Sequence, residues 1–181
     1  DGQNKLSKFS SKIVMGVFVA GVGYVVMRNN VEIEPGIVFD GRSLVMVLAG
    51  FYFGLIPALL GGIVLIYYRI IIGGNGMIPG LLWVVIPAAI GLLWRYYRLK
   101  KYNLIKEVSK REQFIVIFFT QFTIVGILFL FPNKVSLDAI KQIVIPIVFF
   151  YPIGGFIVST FMLRIRQNYF DTQLLKKRED E

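Results

Sequence analysis

The chain has 181 residues, 56% of them hydrophobic and 17% charged, with a formal charge of +9. A soluble domain of this size has no interior large enough for so much apolar side chain, and a mean hydropathy of +0.67 assigns the excess to lipid. The absence of Cys and His excludes disulfides, thiol redox chemistry, thiolate or imidazole metal sites and the usual Ser/His and Cys/His catalytic pairs, so neither a cofactor nor a metal is expected.

Six apolar segments follow in order and predict an all-α, polytopic membrane helical bundle. The first, Lys12 to Met27, comes after Lys5, Lys8 and Lys12 and reads as an anchor rather than a cleaved signal peptide. The loop from Arg28 to Asp40 carries Glu32, Glu34 and Asp40. It is broken into a turn by Pro35 and Gly36, and is long enough to fold over the mouth of the bundle. The second segment, Arg42 to Phe53, is short for a full span, and Gly54 and Pro57 part it from the third, Ile56 to Ile72. The pair is expected to form a tight hairpin with its turn inside the protein; the alternative is one kinked helix from Ser43 to Ile72 and five spans. The fourth segment runs from Met77 to Trp94. The basic stretch from Arg95 to Arg111 is expected to lie along an anionic inner leaflet, or else to serve topology alone as a solvated charge cluster. The fifth segment runs from Phe114 to Phe131 and the sixth from Leu137 to Ile165, with Pro87, Pro146 and Pro152 as kink sites. Small residues such as Gly16, Ala20, Gly61, Gly62, Gly154 and Gly155 permit close helix packing.

The chain then divides into a membrane domain, 1–165, and a polar helix, 166–181, without Pro or Gly. That helix is expected to connect to a cytoplasmic effector domain beyond Glu181, or else to fray. Phe170, Leu174 and Leu175 offer a short apolar seam through which two copies would dimerise in parallel. With both termini inside, fifteen of the twenty basic residues fall on the inner side, as the positive-inside rule requires. The positive charge therefore reads as topology, and the expected partner is the lipid bilayer rather than nucleic acid.

Chemistry concentrates at two arginines. Arg42 opens the second segment and Arg69 lies near the end of the antiparallel third, so both reach the outer side. Asp40 precedes the first. The turn Gly73-Gly74-Asn75-Gly76 follows the second and leads into a helix N-terminus with Pro79 in its first turn. Two guanidinium forks beside such a turn suit a small anion, above all a carboxylate. The competing reading lets Arg69 snorkel past Tyr67 and Tyr68 while Arg42 merely pairs with Asp40. Tyr52, Trp83 and Tyr151 are candidates to line a pocket, or else packing aromatics. Gln121 and Thr123 read as interhelical hydrogen-bonding groups. No Walker loop, paired-carboxylate site or zinc cluster is present, and no catalytic residue is expected.

The stretch Phe39 to Gly76, FDGRSLVMVLAGFYFGLIPALLGGIVLIYYRIIIGGNG, resembles the LytS/YhcK-type five-transmembrane receptor domain (5TM-5TMR) in Asp40, Arg42, Gly50, Gly54, Tyr68, Arg69, Gly73 and Gly74. The resemblance implies the sensor region of a bacterial histidine kinase or diguanylate cyclase in the cell membrane, with the effector following the last helix. Some such kinases respond to pyruvate, and Arg42 and Arg69 match two arginines implicated in that response. A Cys and a Ser of the pyruvate sensor fall near Gly80 and Trp83, so this chain lacks them. The family is also similar to the six-helix substrate-binding subunits of energy-coupling-factor transporters. The rival readings are therefore a transporter subunit, with Gly16 and Ala20 as its docking face, and a dimerising anchor that binds nothing.

Overall fold

The computed structural model describes residues 2–34, 37–102, 108–131 and 137–179. It is an all-α bundle with one small β-hairpin. Helix α1 spans Gly2–Arg28; β1, Val31–Glu34, and β2, Ile37–Phe39, form the hairpin. Helix α2, Arg42–Leu48, ends in a π turn, Ala49–Phe53; α3 spans Leu55–Ile72, α4 Met77–Tyr102 and α5 Lys110–Phe129. Helix α6, Leu137–Ile145, passes through a second π turn, Pro146–Phe150, into α7, Tyr151–Glu179.

Five helical stretches are long and apolar enough to cross a membrane, and Arg42–Phe53 is a shorter apolar sixth. The buried share of the spans runs from 17% in the first to only 44% in the fourth, Lys110–Phe129. Most of each apolar helix thus faces outward, and side chains such as Val14, Phe122 and Phe161 are more than half exposed. An apolar exterior of this extent belongs in hydrocarbon.

The expected hairpin of the second and third segments is present. Gly54 at φ 86° breaks the chain direction, a conformation that suits glycine. Its N–H donates to the Ala49 carbonyl at 3.1 Å and closes the π turn. Pro57 then sits in the first turn of α3, where its missing N–H costs nothing. A Cβ on Gly62 would lie 3.4 Å from the Met46 methyl, so the two helices lie side by side about Gly54 and are not one kinked rod. At 12 residues against 18, α2 with its π turn stops about 9 Å short of α3. The β-hairpin fills the recess: Ile37 and Val38 are buried, and the Phe39 ring meets Trp83 edge-on at 6.5 Å. Strands of four and three residues are an addition to the expected loop; its turn residues, Pro35 and Gly36, lie outside the described residues.

Packing around α2 is tight. A Cβ on Gly91 of α4 would come within 2.1 Å of the Val47 carbonyl oxygen, so the α2 and α4 backbones touch. Helix α1 lies on α3, with Gly16 seated against Leu60. The small-residue face of α1, expected as a docking surface in the transporter reading, is therefore spent inside the chain. By contrast Gly21 and Gly154 face open space and let no helix closer.

Two boundaries differ from expectation. Helix α4 continues through Arg95 to Tyr102, and α5 begins at Lys110 rather than Phe114. Ser109 caps α5 by accepting the Glu112 N–H at 3.1 Å, an N-cap that starts the helix within the charged segment. Arg98 is buried and donates to Glu112 at 3.0 Å, while the Trp94 indole donates to the other Glu112 oxygen at 2.7 Å. Arg98 is thus packed between helices on Glu112, whereas Lys100, Lys101, Lys110 and Arg111 of the same stretch are exposed. Residues 103–107 of the same stretch lie outside the described residues, as do the side chains of the expected dimer seam, Phe170, Leu174 and Leu175.

Candidate functional site: a buried arginine pair under the hairpin

Asp40 precedes α2 and turns its carboxylate back over the helix start. It accepts the Arg42 backbone N–H at 2.9 Å and the Arg42 Nε–H at 2.8 Å on one oxygen, and Arg42 Nη2 on the other. This bidentate grip aims the guanidinium into the bundle, where Arg42 is 0% exposed. Arg69, one turn before the end of α3, is 1% exposed. Of the competing reading, the snorkelling of Arg69 fails, since that side chain is buried, while the pairing of Arg42 with Asp40 is present. Arg69 lies within Coulombic reach of both Arg42 and Asp40.

Gly80 makes room for Arg69: a Cβ there would lie 2.4 Å from Arg69 Nε. Trp83, one turn further along α4, is buried on the same face. Tyr151, at the start of α7, stacks obliquely on Phe39 at 5.1 Å, lies beside Gly41 and feels the charges of Asp40 and Arg42. Ser43 donates to Gln121 Oε1 of α5 at 3.3 Å, the expected interhelical bond. Thr123 differs from expectation: its hydroxyl bonds the Phe119 carbonyl of its own helix, the nearest acceptor along α5.

Other sequence candidates are not brought here. Tyr52 sits at the far end of α2, donating to the Ser159 carbonyl at 2.9 Å and meeting the Ser159 hydroxyl at 2.8 Å. Asn75 is exposed on its turn. Gly73 and Gly74 take φ of 64° and 79° and build that turn, which offers fewer amides than expected. Met77 N–H is taken by the Gly74 carbonyl at 3.1 Å and Pro79 has none, leaving only Ile78 among the first three helical positions.

Among the described residues the hollow at the hairpin end is small, and neither Arg42 nor Arg69 lines it. Ile37 and Val38 of the hairpin, with Gly76, Gly80, Trp83 and Leu128, enclose a niche of about 10 Å³, the size of one water. Larger hollows of about 550 and 320 Å³ run between α1, α2 and α7, but their walls are almost wholly apolar. Tyr52 lines the larger one. A hydrocarbon chain suits them; an anion does not.

Apolar helices of spanning length around a charged cluster buried near a hairpin define a polytopic membrane domain. The chain belongs to the 5TM-5TMR_LYT family: the family model described as "5TMR of 5TMR-LYT" matches residues 2–165. It is a membrane sensing domain and not a catalytic one. No curated protein and no solved structure matches the chain.

Proposed function

We propose that this domain binds a small anion, a carboxylate above all, between Arg42 and Arg69 and relays its presence to a cytoplasmic histidine kinase or diguanylate cyclase beyond α7. One observation carries the reading: two arginines on antiparallel helices, Arg42 gripped by Asp40 and Arg69 seated on Gly80, are both buried, so that with Asp40 the three carry a net +1. A carboxylate between them would neutralise that charge and match both forks. The basic residues support an orientation with both termini in the cytoplasm of a bacterial cell and the hairpin outside. Access from outside requires the β-hairpin to lift from Trp83 and Leu128.

The relay runs through α2. Its first turn holds Arg42, and its π turn holds Tyr52, which bonds Ser159 of α7; Ser159 in turn donates to Gln113 of α5 at 2.9 Å. A ligand that draws the start of α2 toward α3 moves Tyr52 and with it the exit helix. Tenfold tighter binding to one arrangement supplies about 1.4 kcal/mol for the shift. The output is expected to be a homodimer joined through the last helix.

The test is thermal unfolding of the domain in lipid nanodiscs with a panel of small carboxylates. At least one acid should raise the melting temperature of the wild type, and Arg42→Lys and Arg69→Lys should each abolish that rise. Lysine keeps the charge but loses the fork, so folding is spared while grip is lost. Rises that persist in both variants would refute the site.

A further inference from the structure

Among the described residues, three buried N–H donors in the hairpin half of the bundle have no acceptor: Arg42 Nη1, Trp83 Nε1 and Gln121 Nε2. They come from α2, α4 and α5, and their residues are 0%, 3% and 1% exposed. Their depths agree. Trp83 lies about 9 Å below the start of α4, and Gln121 about 12 Å below the end of α5. Arg42 opens the recessed α2. Short links join them: Ser43 bonds Gln121, the neighbouring Arg42 is gripped by Asp40, and Phe39 beside Asp40 contacts the Trp83 ring. A buried donor without an acceptor loses its hydration and regains nothing, and native structures hold few of them. Here three lie at comparable depth on three mutually packed helices, and all are donors. Such a set repels a cation and calls for oxygen acceptors.

Resting on the anion-site reading, we propose that Gln121 is a ligand-binding residue. With Trp83 it forms an uncharged, donor-only pole that takes an oxygen of the ligand other than the carboxylate held by the arginines. Ser43 is its positioning residue: its hydroxyl occupies Gln121 Oε1 and leaves Nε2 to face the site. The ligand class is then a small acid with a second acceptor oxygen, not a plain alkanoate and not a halide. Gln121 sets this specificity, while Arg42 and Arg69 set affinity for any carboxylate.

Three acids with one three-carbon skeleton test this: propionate, lactate and malonate, titrated by thermal shift on the nanodisc-embedded domain. Lactate or malonate should bind the wild type at least about tenfold more tightly than propionate. Gln121→Met should erase that preference while leaving weak binding of all three acids. Gln121→Glu, which offers only acceptors, should bind none of them. Without any acid, the double variant Ser43→Ala with Gln121→Met, which leaves neither group of the Ser43–Gln121 bond orphaned, should unfold at or above the wild-type temperature. A marked drop there would make Gln121 a structural strut and overturn the proposal. So would a wild type that ranks propionate with the other two, or that responds to none. A preference that survives Arg69→Lys unchanged would instead refute the arginine reading, which separates the two failures.

Discussion

Gly80 occupies a position that no side chain can share with Arg69. Adding one carbon there would press on the guanidinium at 2.4 Å, and the arginine must then leave its seat. Gly80→Ala is expected to cost about 1–3 kcal/mol of stability by overpacking and to remove any acid-induced shift, as read by thermal unfolding. Gly21→Ala, which meets open space on a helix, should leave stability unchanged or raise it by about 0.5–1 kcal/mol. Asp40 is the other sensitive position. Asp40→Asn leaves the Arg42 charge buried without its counter-ion, and a loss of about 3–5 kcal/mol is expected in the same measurement. At this scale the sequence announced the parts but not their directions. The Asp-x-Arg spacing made the pair of Asp40 and Arg42 readable, because two residues at a helix start reach each other without tertiary help. Whether Arg69 points to lipid or to the interior depends on Gly80, eleven residues away on another helix. Tyr52, ten residues after Arg42 in the same segment, lies about 15 Å further along it, a separation that spacing alone dictates.

Among the elements, the short α2 does the most. It touches α4 through backbone contact, places Arg42 at one end and Tyr52 at the other, and ends where Arg95 donates to the Phe51 and Tyr52 carbonyls at 2.8 and 3.0 Å. That arginine satisfies carbonyls which a helix terminus otherwise leaves bare. Tyr52→Phe removes one buried hydroxyl from the link to α7. It should cost about 1 kcal/mol in thermal unfolding and weaken signal output from the full-length protein without altering acid binding. Gly54 and Pro57 made the break after α2 readable, since both punctuate helices for local reasons. The start of α5 was also present in the sequence, as Ser109 and Glu112 at capping-box spacing, but a charged stretch masks such a signal when apolar periodicity leads the reading. The β-hairpin was not readable, because strands of four and three residues are too short for alternation to register.

For the whole molecule, the apolar runs made the bundle evident, and the charge bias suggested its orientation. A chain without cysteine lends itself to a direct check. Single replacements Asn29→Cys and Lys101→Cys, both at exposed positions near opposite ends, should differ in intact cells. A membrane-impermeant maleimide should label the first and spare the second. The fold of the bundle is thus a property of composition, while its site is a property of which helix falls short. That shortfall has an electrical consequence. The foot of the recess lies about 9 Å inside a hydrocarbon layer of about 30 Å, so a monovalent anion seated there has crossed roughly a third of the voltage drop. At about 2.3 kcal/mol per charge per 100 mV, an interior-negative potential should oppose its arrival by about 0.7 kcal/mol. Acid affinity in proteoliposomes is then expected to fall about threefold when a 100 mV diffusion potential is imposed, so the receptor would report the energisation of the membrane along with the metabolite outside it.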